Sequence, residues 1–98
     1  MEDFSLEYPA KLKVAQRAHV GVVGSGDLEI LLEPGTNNKM QIHVRTASNG
    51  FQSTWKAVFE RFAAKNNVEA VITINDFGAT PGVVNLRLAQ TIEIANKK

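Results

Sequence analysis

Period-two alternation through the first half of the chain limits the available folds more than any other feature. Phe4, Leu6 and Tyr8 alternate with Ser5 and Glu7, the pattern of a strand with one buried face. Pro9 stops that run, because proline cannot donate to a ladder. Arg17 to Val23 is a second strand candidate, β-branched near its end. Leu28, Ile30 and Leu32 alternate with Glu29 and Glu33 as a third, and Pro34-Gly35-Thr36-Asn37-Asn38 is a turn cluster. Met40, Ile42 and Val44 alternate with Gln41, His43 and Arg45 as a fourth. These runs predict a meander of antiparallel strands.

The period then changes. Asn49 followed by Gln52 resembles a capping box, and Phe51, Trp55, Val58, Phe59 and Phe62 recur at helical spacing. This aromatic stripe is assigned to the core. Asn66-Asn67 can end the helix, and Val68 to Ile74 reads as a β-branched strand. Thr80-Pro81 supplies a cap and a proline at the first helical position, with Val84, Leu88, Ile92 and Ala95 marking a buried face. The order predicts an α+β fold, a mainly antiparallel β-sheet with two helices packed on one face, and residues 1–98 as a single domain.

Composition narrows the function. A chain of 98 residues buries one small core and is too small to enclose a deep active site. With 44% hydrophobic and 21% charged residues, neither disorder nor a membrane span is indicated. A net charge of +1 gives no general electrostatic case for nucleic acid. Lys11, Lys13 and Arg17 form a small basic group, read first as a solvated face and second as a phosphate holder. Met1-Glu2-Asp3-Phe4 lacks the basic start of a secretory signal, so the expected compartment is the cytoplasm. There are no cysteines, which excludes thiolate metal sites and a protein thiol. Two histidines without close pairing make no transition-metal site.

The run Gly21-Val22-Val23-Gly24-Ser25-Gly26-Asp27-Leu28 sets one hydroxyl between two glycines after an apolar strand. Glycine has no Cβ, so Gly24 and Gly26 permit positive φ and leave room for a large group to approach Ser25. From composition alone the run reads first as a plain hairpin turn. Asp27 either orients that turn through a side-chain bond or is an ordinary turn acid. A hydrolase built from Ser25, His19, His43, Asp27 and Asp76 lacks the glycine spacing of a nucleophile elbow. Gly21-x-x-Gly24-x-Gly26 reverses the dinucleotide fingerprint, and Asp76-Phe77-Gly78 lacks every companion of the kinase motif it spells. The segment Asn75 to Gly82 reads as a strand-to-helix loop, or as a surface gripped by a partner, with Asp76 as its most useful probe.

Three segments taken together carry a resemblance: Ala18 to Glu29, Leu31-Leu32-Glu33-Pro34, and Ile74-Asn75-Asp76-Phe77-Gly78-Ala79-Thr80-Pro81-Gly82-Val83-Val84. With Gly50-Phe51 and Trp55-Lys56-Ala57-Val58 between them, in the same order, the chain resembles the acyl carrier (delta) subunits of malonate decarboxylase over nearly its whole length. The resemblance implies a noncatalytic carrier with no catalytic residues. It implies that Ser25 bears 2'-(5''-phosphoribosyl)-3'-dephospho-CoA, covalently attached through a phosphodiester, with Gly24 and Gly26 flanking the attachment. The thiol of that group would hold acetyl and malonyl as thioesters, which a cysteine-free chain cannot do itself. Implied partners are an acetyl/malonyl transferase subunit, decarboxylase subunits and a prosthetic-group transferase, with neither nucleic acid nor membrane. The gamma chain of citrate lyase, which uses a similar group, and a small adaptor module are the alternatives. The helical acyl carriers of fatty-acid synthesis are not comparable, because their serine lies in Asp-Ser-Leu at a helix start.

Overall fold

The computed structural model describes residues 2–22, 24 and 26–97. Strands β1 (Glu2–Pro9), β2 (Leu12–Lys13), β3 (Ala18–Gly21), β4 (Leu28–Pro34) and β5 (Lys39–Thr46) precede helix α1 (Gln52–Lys65), strand β6 (Val68–Asp76) and helix α2 (Pro81–Ala95). The expected α+β class is what forms: a mostly antiparallel sheet with two helices. The expected meander is not. β6 inserts between β4 and β5, giving the order β1-β5-β6-β4-β3, and β2 pairs with β6 off that path. β5 and β6 run parallel while β4 and β6 run antiparallel. The cause is the helix between them, since a parallel neighbour needs a crossover and α1 supplies it. The second strand is shorter than expected, ending at Gly21, and the Val23 end of the predicted run lies outside the described residues.

Alternation decides which face is covered. Leu28, Ile30, Leu32, Met40, Ile42, Val44, Ile72 and Ile74 are fully buried. Trp55, Val58 and Phe59 of α1, and Val84, Leu88, Thr91 and Ala95 of α2, are buried with them. Phe59 meets Phe62 edge to face at a centroid distance of 5.8 Å, an aromatic geometry that adds to area burial. The other face of the sheet is polar. There Ser5, His43, Thr73, Leu31 and His19 fall in one cross-strand row.

Two local readings are corrected. α1 has Phe51 at its N-cap with no side-chain cap, so Asn49 and Gln52 form no capping box. Phe51 is itself half exposed and leaves the core stripe to line a cleft of about 330 Å³ with Trp55, Val58, Ala79 and Val84. In contrast, the Thr80 hydroxyl accepts the Val83 N–H at 3.3 Å and Pro81 opens α2, as the sequence predicts.

The basic group before the glycine run is largely paired. Lys13 bonds Glu69 and Arg17 lies 3.9 Å from Glu33, which favours the solvated-face reading. Glu69 is buried and also accepts the Asn38 N–H at 2.6 Å, so it ties β2 and the β4–β5 turn to β6. The Lys13 bond first, then the Asn38 N–H, hold its carboxyl below the ordinary glutamate value of 4.5. A lowered folded value means stability present above that ordinary value and lost as pH falls below it. Thermal melts from pH 7 to pH 3 should therefore show wild type losing more stability than Glu69→Gln, with the two curves converging at acid pH. Parallel curves would contradict the assignment.

Candidate functional site

Ser25 lies outside the described residues, and the structure speaks to it through its neighbours. Gly26 is exposed with φ +77°, a conformation that L side chains rarely adopt. A Cβ built there would have nothing within 4 Å. Gly24 has no positive φ, and a Cβ there would touch only Val22 Cγ2 at 3.9 Å. The fold accounts for glycine at Gly26 through its backbone. At Gly24 neither conformation nor packing in this chain requires glycine, so the space beside it opens outward.

The loop is braced from two directions. Asp27 N–H donates to the Gly24 carbonyl at 3.1 Å, which closes the turn. Gly26 N–H donates to the Phe77 carbonyl at 2.8 Å, and Phe77 N–H donates to the Asp27 carbonyl at 2.9 Å. These bonds continue the β4–β6 ladder beyond Leu28 and Asp76. From α2, Arg87 places Nε 3.3 Å from Asp27 Oδ1 and Nη2 3.0 Å from Oδ2, a forked pair. Gln90 Oε1 accepts from Arg87 Nη1 at 3.2 Å and steadies the fork. Asp27 Oδ1 also accepts the Leu28 N–H at 2.7 Å. Arg87 first, then that N–H, hold the Asp27 carboxyl below its ordinary range. Asp27 is thus the orienting acid of the two readings. Arg87 had no signal near the glycine run, since it lies sixty positions away on a helix face.

Among the described residues, the histidines and aspartates of a hypothetical hydrolase each bond some other group. His19 Nε2 bonds Glu29 Oε2 at 2.9 Å, and His43 Nδ1 shares a 2.8 Å bond with Ser5 Oγ on the open sheet face. Asp27 holds Arg87, and Asp76 takes the Thr46 hydroxyl at 2.8 Å. Among the described residues no group of three or more His, Asp or Glu side chains is arranged to hold a metal ion. Among those residues no helix is long and apolar enough to cross a membrane.

Asp76 requires a correction as the proposed docking probe. It is 5% exposed, accepts the Ala79 N–H at 2.9 Å, and its backbone carbonyl takes the Ala47 N–H at 3.0 Å. Asn75, partly buried on the open face of the sheet, donates to Glu29 across the strand pair at 3.1 Å. The polar side chains of this loop serve the fold, and its outward positions are Gly78, Thr80, Pro81 and Gly82. Asp76→Ala leaves a buried hydroxyl and an N–H without an acceptor, and should lower unfolding free energy by about 2–4 kcal/mol in denaturant titrations. A change below about 0.5 kcal/mol would show that water replaces the carboxylate freely.

The described residues form a sheet-and-helix domain with a glycine loop braced at Asp27 by Phe77 and Arg87. Comparison with known proteins gives its kind. Residues 15–95 match the malonate decarboxylase delta subunit (MdcD) family. The malonate decarboxylase acyl carrier protein of Azotobacter vinelandii is 52% identical over 94 residues, covering 95% of each chain. That of Pseudomonas savastanoi pv. phaseolicola is 54% identical over 94 residues, again covering 95% of each. A chain in the crystal structure of a Pseudomonas malonate decarboxylase hetero-tetramer in complex with malonate superposes with a TM-score of 0.91 at 52% identity, covering 97% of this chain and 99% of that one. The chain belongs to the malonate decarboxylase delta subunit family. It is an acyl carrier subunit rather than a catalytic one, which sets aside the citrate lyase and adaptor alternatives.

Proposed function

We propose that Ser25 is the attachment point of the coenzyme A-derived group, joined through a phosphodiester, and that Gly24 and Gly26 provide the room for it. The supporting observation is the open surroundings of both glycines on a loop whose backbone is fixed on its Asp27 side. A large substituent fits such a place, because a built Cβ at Gly26 meets no atom and one at Gly24 barely touches Val22. The group, 2'-(5''-phosphoribosyl)-3'-dephospho-CoA, supplies when bound a thiol able to hold acyl groups, chemistry that a cysteine-free chain lacks. This chain's own residues present and orient. Ser25 offers a hydroxyl that needs access more than intrinsic reactivity, since a serine without a neighbouring base is a weak nucleophile and a loading transferase can bring the base.

The proposal extends to assembly. The solved relative is part of a malonate decarboxylase hetero-tetramer, and we take this chain to serve an acetyl/malonyl transferase subunit and decarboxylase subunits in the same way. A prosthetic-group transferase loads it, in the bacterial cytoplasm. The Ser25 hydroxyl oxygen attacks the ribose-linked phosphate of a triphosphate donor, its proton passes to the transferase's base, and pyrophosphate leaves. Incubated with that transferase and its triphosphate donor, the wild-type protein should gain one nucleotide-sized mass increment, and Ser25→Ala should gain none. On this reading the hydroxyl serves attachment and not the fold, so the variant should melt within about 0.5 kcal/mol of wild type. An increment on Ser25→Ala would sink the assignment.

A further inference from the structure

Asp27 places a carboxylate two residues from the hydroxyl that, on the reading above, receives an anionic phosphate. Two residues along a chain span at most about 7 Å between Cα atoms. The charges borne at the ends of two such side chains stand on the order of 10 Å apart, and at an effective dielectric of about 25 they repel by an amount equal to roughly a tenfold change in rate. Arg87 meets this carboxylate with a forked pair at 3.0 and 3.3 Å, and both side chains are largely covered, at 28% and 20% exposure. The loop backbone is already tied to Phe77 by two bonds of its own. Arg87 adds to them a brace on the Asp27 side chain and a positive charge beside its carboxylate.

We propose that Arg87 is a positioning residue for loading: acting through Asp27, it cancels the carboxylate beside the attachment serine, so that an anionic donor can approach and a phosphodiester can remain there. This inference rests on Ser25 as the attachment point and adds a residue that the glycine run does not contain. Charge cancellation and mechanical clamping predict different patterns. If Arg87 only clamped the loop, removing either partner would do equal harm, and removing both would be no better. If it cancels charge, only its own loss exposes the carboxylate.

The test is the rate of mass gain for wild type, Arg87→Gln, Asp27→Asn and the double variant, with the transferase and its triphosphate donor, alongside thermal melts of the unloaded proteins. Arg87→Gln should load about tenfold more slowly, mainly through a higher KM for the donor, and added salt should narrow the gap. Asp27→Asn should load at least as fast as wild type. The double variant should recover to within about threefold of wild type by the same charge arithmetic. Arg87→Lys, which keeps the charge without the fork, should load close to wild type and keeps the test open if Arg87→Gln does not fold. The inference is overturned if Arg87→Gln loads normally, if Asp27→Asn is as slow as Arg87→Gln with no recovery in the double variant, or if folded Arg87→Lys is tenfold slow. Wild type that gains no mass overturns the attachment reading itself, whatever the variants do.

Discussion

Strand β6 is the member on which the rest of the molecule depends. Placed between β4 and β5, it pairs along its length with both, parallel on one side and antiparallel on the other. Its Ala70, Ile72 and Ile74 lie fully buried beneath the helices. Because β4 enters the sheet opposite the point where β6 leaves it, Leu28 stands across from Asp76. The glycine loop before β4 and the turn after β6 therefore meet at one end of the sheet, and two backbone bonds through Phe77 join them. α2 starts from that same turn and runs back along β3 and β4, which brings Arg87 to Asp27.

That arrangement suits a carrier. On the proposed attachment, the loop would hold a covalently joined group at a constant place, yet leave the joined atom clear of its own protein. Hydrogen bonds on the Asp27 side give the first, and two positions without side chains give the second. The chemistry belongs to other chains, so no base or metal set is needed around the serine. The ionisable groups near the sheet are instead spent in pairs: Asp27 with Arg87, His19 with Glu29, Lys13 with Glu69.

The sequence disclosed what is encoded by local period and turn chemistry. Alternation at Leu28, Ile30 and Leu32, and at Met40, Ile42 and Val44, marks the buried face correctly, and Thr80-Pro81 locates the start of α2. It did not disclose strand order, because β4 and β5 carry identical alternation whether or not a third strand separates them. The two-residue strand Leu12–Lys13 has no period to read. Asn49 and Gln52 stand at capping-box spacing, but the helix starts one residue after Phe51, so the spacing is coincidental. The glycine run was legible as a candidate site through the resemblance of the chain to one family. Its support was not, since Phe77 and Arg87 approach it only after the chain has folded. Asp76 had the composition of a surface loop acid, and only its Thr46 and Ala79 partners reveal a buried brace.

The central claim is that one hydroxyl between Gly24 and Gly26 carries the group, and localising the adduct on loaded wild-type protein tests it most directly. Cleavage after Arg17 and Lys39 releases a peptide, residues 18–39, with hydroxyl side chains only at Ser25 and Thr36. Fragmentation of that peptide should keep the added mass on every fragment containing Ser25 and on none that contains Thr36 without it. An adduct on Thr36, or on any other peptide, would contradict the account.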